Sequence, residues 1–331
     1  MIRRASAEMV CGGVILAMCG GVWAADRKSE AVGRWNLTLE QGDQRLPSWL
    51  RVEEKDGKLV GRYVGTGGGV GDVQDVRFED GKLEFRRGDE RNEAKITGDD
   101  MVGEIIRKNG SKTRFTGKRF IPPPERAKRK VEWGEPITLF NGKDLEGWET
   151  FGGESHWKVE DGVLVNTAGG ANIRTRQTFR DFKLHVEFNS PPHGNSGVYL
   201  RGRYEIQVAD DSGDAPPSAH GCGALYSRIA PSKKVTKKPG EWQTYDITII
   251  GQRLTLVFNG ETVIDNAEIE GITGGALDSN EYAPGPIYLQ GDHTGMKYRN
   301  IVLTPRKMPA RSPGMNKEGQ GEHGAGREHK K

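Results

Sequence analysis

The chain has 331 residues, 34% hydrophobic and 29% charged, with 47 Gly, 16 Pro and a net charge of +3. A mean hydropathy of −0.68 excludes a polytopic helical membrane protein, and a high Gly and Pro content without a collagen period argues for many tight turns over a helical bundle. The basic excess lies outside the main candidate domain: residues 134–305 hold 16 basic and 22 acidic side chains, while 118–133 and 306–331 carry +4 each. No clustered basic face for nucleic acid is expected.

Residues 1–24 read as a secretory signal: Arg3 and Arg4, an apolar stretch from Val10 to Val22, then Val22-Trp23-Ala24 ahead of Ala25. The apolar run is too short and Gly-rich for a membrane span, which needs about 20 residues. Export to the periplasm or the extracellular space is therefore expected. Leu16-Ala17-Met18-Cys19 resembles a bacterial lipobox with Met18 as a departure, so lipidation stands as a second reading. Once Cys11 and Cys19 leave with the signal, Cys222 is alone and no intramolecular disulfide can form. Its setting, His220-Gly221-Cys222-Gly223, matches no nucleophile signature, and a small packed thiol is expected.

Residues 31–120 carry short alternating segments at 35–39, 50–52, 59–64, 76–78, 83–85 and 114–116. Asp56-Gly57, Asp80-Gly81 and Asn109-Gly110 are the dipeptides that favour hairpins because they accept positive φ. The expectation is a small antiparallel β-barrel or half-barrel. The Gly65–Gly71 run lacks both the G-x-G-x-x-G spacing and a following Lys-Ser/Thr, so it reads as a loop and not as a phosphate cradle. Residues 121–133, with Pro122–Pro124 and a basic run, read as a linker.

The block 134–305 again alternates strands with Gly turns, among them Asp161-Gly162 and Asn259-Gly260, and predicts an all-β sandwich. Residues 306–331 are rich in Gly and charge and are expected to be disordered. Within the block stand, in order, Leu139-Phe140-Asn141-Gly142-Lys143-Asp144-Leu145-Glu146-Gly147-Trp148, Trp157–Leu164, Phe179–Phe182 leading into Glu187-Phe188, Asn195–Arg201, Tyr204–Val208, Gly223–Tyr226, Gly240–Gln243 and Leu289-Gln290 with Arg299-Asn300-Ile301. This series resembles the bacterial 3-keto-disaccharide hydrolase domain over about residues 135–305. The resemblance implies a concanavalin-like jelly roll acting on glycosides already oxidised at C3. Here the run from Leu289 to Arg299 is longer than the family's short turn, which shifts its histidine, His293, along the chain.

Strand alternation gives a site independently of the family. Tyr199, Arg201, Glu205 and Gln207 share one face, as do Tyr288, Gln290 and Asp292; a solvated sheet face would show the same pattern. A 3-keto group acidifies the C2 hydrogen, so a base can remove it while the C1 substituent departs, and water can add back. The expected base is Glu205, with His293 second, and Arg201 and Gln207 are expected to stabilise the enolate oxygen. Tyr199, Gln207, Asn195, Gln290, Trp242 and Asp292 are expected to bind the sugar. No cofactor is certain; a divalent ion on Asp292, His293 and Glu205 could replace Arg201, although no metal-spacing signature is present. Two alternatives stay open: an ordinary glycosidase pairing Glu205 with Glu187 or Asp292, with carboxyls about 5–9.5 Å apart, and a non-catalytic glycan-binding module.

Overall fold

The computed structural model describes residues 30–65, 68–122, 131–211, 213 and 215–307. The expected signal segment, the middle of the linker and the tail beyond Lys307 lie outside them. Every regular element among the described residues is a β-strand, and no helix there is long and apolar enough to cross a membrane.

The first eight strands are β1 (Gly33–Gln41), β2 (Gln44–Lys55), β3 (Lys58–Val64), β4 (Val70–Glu79), β5 (Lys82–Arg87), β6 (Glu90–Thr97), β7 (Asp100–Ile106) and β8 (Lys112–Arg119). They form an antiparallel meander that closes when β1 pairs with β8, so the barrel is complete and has no free edge. Both residues of Asp56-Gly57 and of Asp80-Gly81 have positive φ (51° and 71°, 49° and 77°), the conformation a two-residue hairpin turn demands. Inward positions are filled by Trp35, Leu37, Phe85, Met101, Ile105 and Phe115, which makes the interior a packed core and not a ligand cavity.

The remaining strands are β9 (Ile137–Thr138), β10 (Trp148–Phe151), β11 (Trp157–Glu160), β12 (Val163–Asn166), β13 (Asn172–Thr175), β14 (Phe182–Asn189), β15 (Asn195–Leu200), β16 (Tyr204–Ala209), β17 (Gln243–Ile250), β18 (Arg253–Phe258), β19 (Glu261–Glu268), β20 (Tyr288–Leu289) and β21 (Met296–Pro305). They build a sandwich. One sheet has the order β10-β13-β20-β15-β16; the other runs β11-β12-β21-β14-β17-β18-β19, with β9 on β21. Alternate residues of the two sheets, such as Ile173, Val198, Ile206 and Leu289 against Leu184, Val186, Ile247 and Leu256, interdigitate in one core. Cys222 is packed there, its Sγ 3.1 Å from the Tyr245 hydroxyl, and burial pushes its thiol up to about 12.

Candidate active site

The five-stranded sheet turns one face to the core and the other outward, and its register decides which side chains meet. Glu149 pairs with Arg174, Arg174 with Tyr288, Tyr288 with Tyr199, and Tyr199 with Glu205. Directly paired residues share a face, so these five form a single row across the sheet. The sequence brings two carboxylates, one guanidinium and two phenols into line from segments up to about 140 residues apart.

At the β16 end of the row the outward face is covered. Glu205 is only 4% exposed, and Tyr199 and Tyr288 are buried with it. The two phenol rings stack, with centroids 4.0 Å apart and planes 14° from parallel. The Gln207 amide lies between Asn195 Oδ1 at 3.1 Å on one side and Glu205 Oε1 at 2.9 Å and the Ser196 carbonyl at 3.2 Å on the other, and assigning its nitrogen to the second side lets it donate to both of those acceptors. Room for the carboxyl comes from the facing strand: a Cβ on Gly197 would lie 2.6 Å from Glu205 Oε1. The backbone N–H of Glu205 donates to Thr273 Oγ1 at 3.0 Å.

Among the described residues no cation stands beside Glu205 to hold it ionised. Burial pushes its carboxyl up to about 8, opposed by the Tyr199 hydroxyl and reinforced by the charge of Asp292. Which acceptor takes the Tyr199 hydrogen decides whether that opposition operates. Tyr199 Oη lies 2.9 Å from Glu205 Oε2 and 2.8 Å from the Gly274 carbonyl, yet a phenol has one hydrogen to give. With that hydrogen on Gly274, the Glu205 carboxyl must supply the proton it shares with Tyr199. A protonated Glu205 is the state in which both contacts are hydrogen bonds.

The other predicted residues divide. Gln290 is buried, with its backbone N–H donating to Gly197 O at 3.0 Å. Asn195 ties the following turn to β15, since its N–H donates to Thr294 Oγ1 at 2.8 Å and its carbonyl accepts from that hydroxyl at 3.0 Å. That turn presents Asp292 and His293, paired through Oδ1 and Nδ1 at 2.6 Å and about half exposed. They are the most exposed of the predicted residues.

Arg201 and Trp242 lie elsewhere, against expectation. β15 ends at Leu200, and Arg201 sits in the turn with φ 55°, which breaks the alternation that would have put it beside Tyr199. Its guanidinium is fully buried against the Arg180 carbonyl, Asp181 at 3.2 Å and Gln252 at 3.3 Å. Trp242 precedes β17 in the other sheet, with the Arg299 guanidinium 3.9 Å above its ring. Glu187, the alternative carboxylate partner, points away from the core of that sheet and is bound by Arg299 and Asn300. The cation that does share the row with Glu205 is Arg174, which donates to Glu149 at 2.8 Å and lies over the Phe151 ring. Its strand has four residues, too few for a convincing alternation. Among the described residues no three His, Cys, Asp or Glu side chains converge as a metal site; Asp292 and His293 hold each other, and Glu205 faces Tyr199 and Gln207.

A buried carboxyl of raised proton affinity, flanked by phenols and an amide, is a group that can exchange a proton with a neutral polar ligand that reaches it. Residues 135–304, the whole sandwich and none of the barrel, match the family described as the 3-keto-alpha-glucoside-1,2-lyase-like domain. Two crystal structures from Parabacteroides distasonis, both of provisionally assigned glycosyl hydrolases, are similar to it. The first is 31% identical and aligns over 54% of this chain and 92% of that one, with a TM-score of 0.46. The second is 29% identical over 51% and 98%, with a TM-score of 0.41. No curated protein matches the chain.

Proposed function

The chain belongs to the 3-keto-alpha-glucoside-1,2-lyase-like domain family and is a carbohydrate-active protein, and from this premise we propose that its sandwich cleaves 3-keto-glycosides with Glu205 as the proton acceptor. The observation that carries the proposal is the row Glu149–Arg174–Tyr288–Tyr199–Glu205, which ends on a buried carboxyl of raised proton affinity. Glu205, once ionised, takes the C2 hydrogen as a proton. The electron pair left on C2 makes the C2–C3 double bond of an enolate, with its charge on the C3 oxygen. Collapse of the enolate forms the C1–C2 double bond and breaks the bond from C1 to the departing oxygen, which leaves with the aglycone and takes up a proton. Water can then add at C1, with a proton returning to C2.

Within this reading the C3 oxygen is served by Tyr288 and Arg174, neighbours in the row, in place of Arg201. Gln207 and Tyr199 orient the Glu205 carboxyl, and Asp292, His293, Gln290 and Asn195 line the side where the glycoside enters. Glu205 ionises before it can act, so kcat/KM for the free enzyme rises with pH toward a plateau above about 8. The export reading belongs to the same proposal, because its N-terminal signal would deliver the enzyme outside the cytoplasm; N-terminal sequencing of the protein secreted by its native host should begin at Ala25. The direct test supplies 3-keto-trehalose and unoxidised trehalose to wild-type protein and to Glu205→Gln, with product followed by NMR. Only the wild type with the keto sugar should react. Cleavage of plain trehalose, or undiminished turnover by a folded Glu205→Gln, would refute the proposal.

A further inference from the structure

The family match stops short of the barrel, yet the barrel reaches the active site. Segment 269–277 of the sandwich lies between them. On the barrel side, Trp49 and Val64 pack with Ile272 and Ala276 in a buried cluster that Val70 joins. The Arg228 guanidinium stacks 4.3 Å from the Trp49 ring centroid, and Glu270 is paired with Arg51 and Arg62 of β2 and β3. The Val70 N–H donates to Ser227 Oγ at 3.0 Å. Arg87 joins the end of β3 to the residue before β4, donating to the Tyr63 carbonyl at 3.0 Å and to the Gly69 carbonyl at 2.8 Å.

The tightest approach is glycine on glycine. A Cβ on Gly68 would lie 3.0 Å from Gly274 Cα, and a Cβ on Gly274 would lie 2.8 Å from Gly68 Cα. No side chain fits between these two backbones. On its other side the same segment touches the site: Gly274 accepts the Tyr199 hydroxyl, and a Cβ on Gly275 would meet Tyr199 Oη at 2.5 Å.

We infer that the barrel is a working part of the active site: Gly68, seated on Gly274, is a positioning residue that holds the carbonyl competing with Glu205 for the Tyr199 hydrogen. This rests on Glu205 being the proton acceptor. While the carbonyl is held in place, the Tyr199 hydrogen stays on Gly274 and Glu205 keeps its proton. If the carbonyl withdraws, the phenol turns to Glu205 and stabilises its ionised form. Among the described residues the titratable groups that act on Glu205 are Tyr199 and Asp292, with Tyr288 behind Tyr199 and the Tyr298 phenol, which is hydrogen-bonded to Ser196. Segment 269–277 adds the neutral Thr273 beside Glu205, and its one carboxylate, Glu270, is paired with the barrel arginines.

The test compares full-length wild type, Gly68→Val, Glu270→Gln and Gly69→Ala. A Cβ at Gly69 meets nothing within 4 Å, so that variant changes the loop without pressing on Gly274. Two readouts are taken. One is the infrared band of the protonated Glu205 carboxyl, identified by its absence in Glu205→Gln and titrated without substrate. The other is the pH profile of turnover. Gly68→Val should lower the titration midpoint by about one unit, a tenfold change in proton affinity, and move the rising limb of the pH profile of turnover to lower pH by the same amount. Glu270→Gln should move both readouts the same way by less, and it decides the matter if Gly68→Val does not fold. Gly69→Ala should match the wild type. An unmoved midpoint in folded Gly68→Val and Glu270→Gln, or an equal shift in Gly69→Ala, would overturn the inference. Turnover by Glu205→Gln would instead overturn the assignment of the base and leave the infrared result to judge the barrel separately.

Discussion

The barrel and the sandwich are built by the same rule, alternating strands joined by Gly turns, and they differ in where buried polar groups go. In the barrel these are few and neutral: Ser48, Asn92 and Thr113. In the sandwich they include Arg201, Arg203, Glu205, Gln207, Glu281 and Gln290. Some of these are held by charged neighbours. Arg203 reaches Asp278 with two hydrogen bonds, at 2.7 and 2.8 Å, and two backbone carbonyls. Glu281 Oε2 accepts from the Gly271 N–H at 3.0 Å and from Gln252 at 3.1 Å, while Oε1 has no hydrogen bond among the described residues, and burial pushes the carboxyl up to about 7 against the pull of Arg34 and Arg228. Among the described residues no such cation stands beside Glu205. A buried charge is costly unless paired, so on the proposed reading the carboxyl buried without a cation serves the chemistry, and the one buried among arginines serves the architecture.

The sharpest way to break this contrast is to neutralise each carboxyl. Glu205→Gln should lower turnover about 10²–10⁴-fold, the range of a lost general base, and leave the fold intact. Glu281→Gln should leave the chemistry of folded protein unchanged. A barrel-core truncation, Phe85→Ala, should cost about 3–5 kcal/mol in a denaturant titration and impair activity only through unfolding. Arg174→Met should reduce kcat by roughly tenfold or more, as loss of a charge-assisted hydrogen bond would. Arg201→Met should instead lower the melting temperature and spare the turnover of what remains folded.

Stability should follow pH in a direction set by Glu205. Its folded proton affinity is raised above that of the unfolded chain, so the contribution of the neutral carboxyl is fully present below the ordinary Glu range and is lost as pH rises toward about 8. Glu205→Gln escapes that loss. Its melting temperature relative to wild type should climb between pH 5 and pH 8, and a constant offset would show that Glu205 does not carry its proton in the fold. The smallest effect belongs to Trp242→Phe, on the outer face of the other sheet, which should leave KM for the keto sugar within about twofold, as a substitution remote from the ligand does.

Much of this was legible in the sequence. The all-β architecture, the hairpins at Asp56-Gly57 and Asp80-Gly81, and the clustering of Tyr199, Glu205 and Gln207 follow from period-two alternation and turn chemistry. β6 and β7 were harder to see, because their inward positions include Asn92, Ala94 and Gly103, which give little apolar contrast. Arg201 misled because one residue in a left-handed turn ends the alternation. Arg174 escaped because its place beside Tyr288 depends on pairing between strands more than a hundred residues apart. The Gly274 carbonyl could not be read at all, since a backbone acceptor leaves no trace in residue type.

The central claim is that C2 of the sugar loses its hydrogen to Glu205. Turnover of a 3-keto-glucoside by full-length protein in deuterated water tests it most directly, with the released sugar examined by NMR. Elimination followed by hydration predicts one solvent deuteron at C2 of the 3-keto-glucose, acquired at the rate of cleavage and lost with it in Glu205→Gln. Cleavage that leaves the C2 hydrogen of the released sugar untouched would contradict the account.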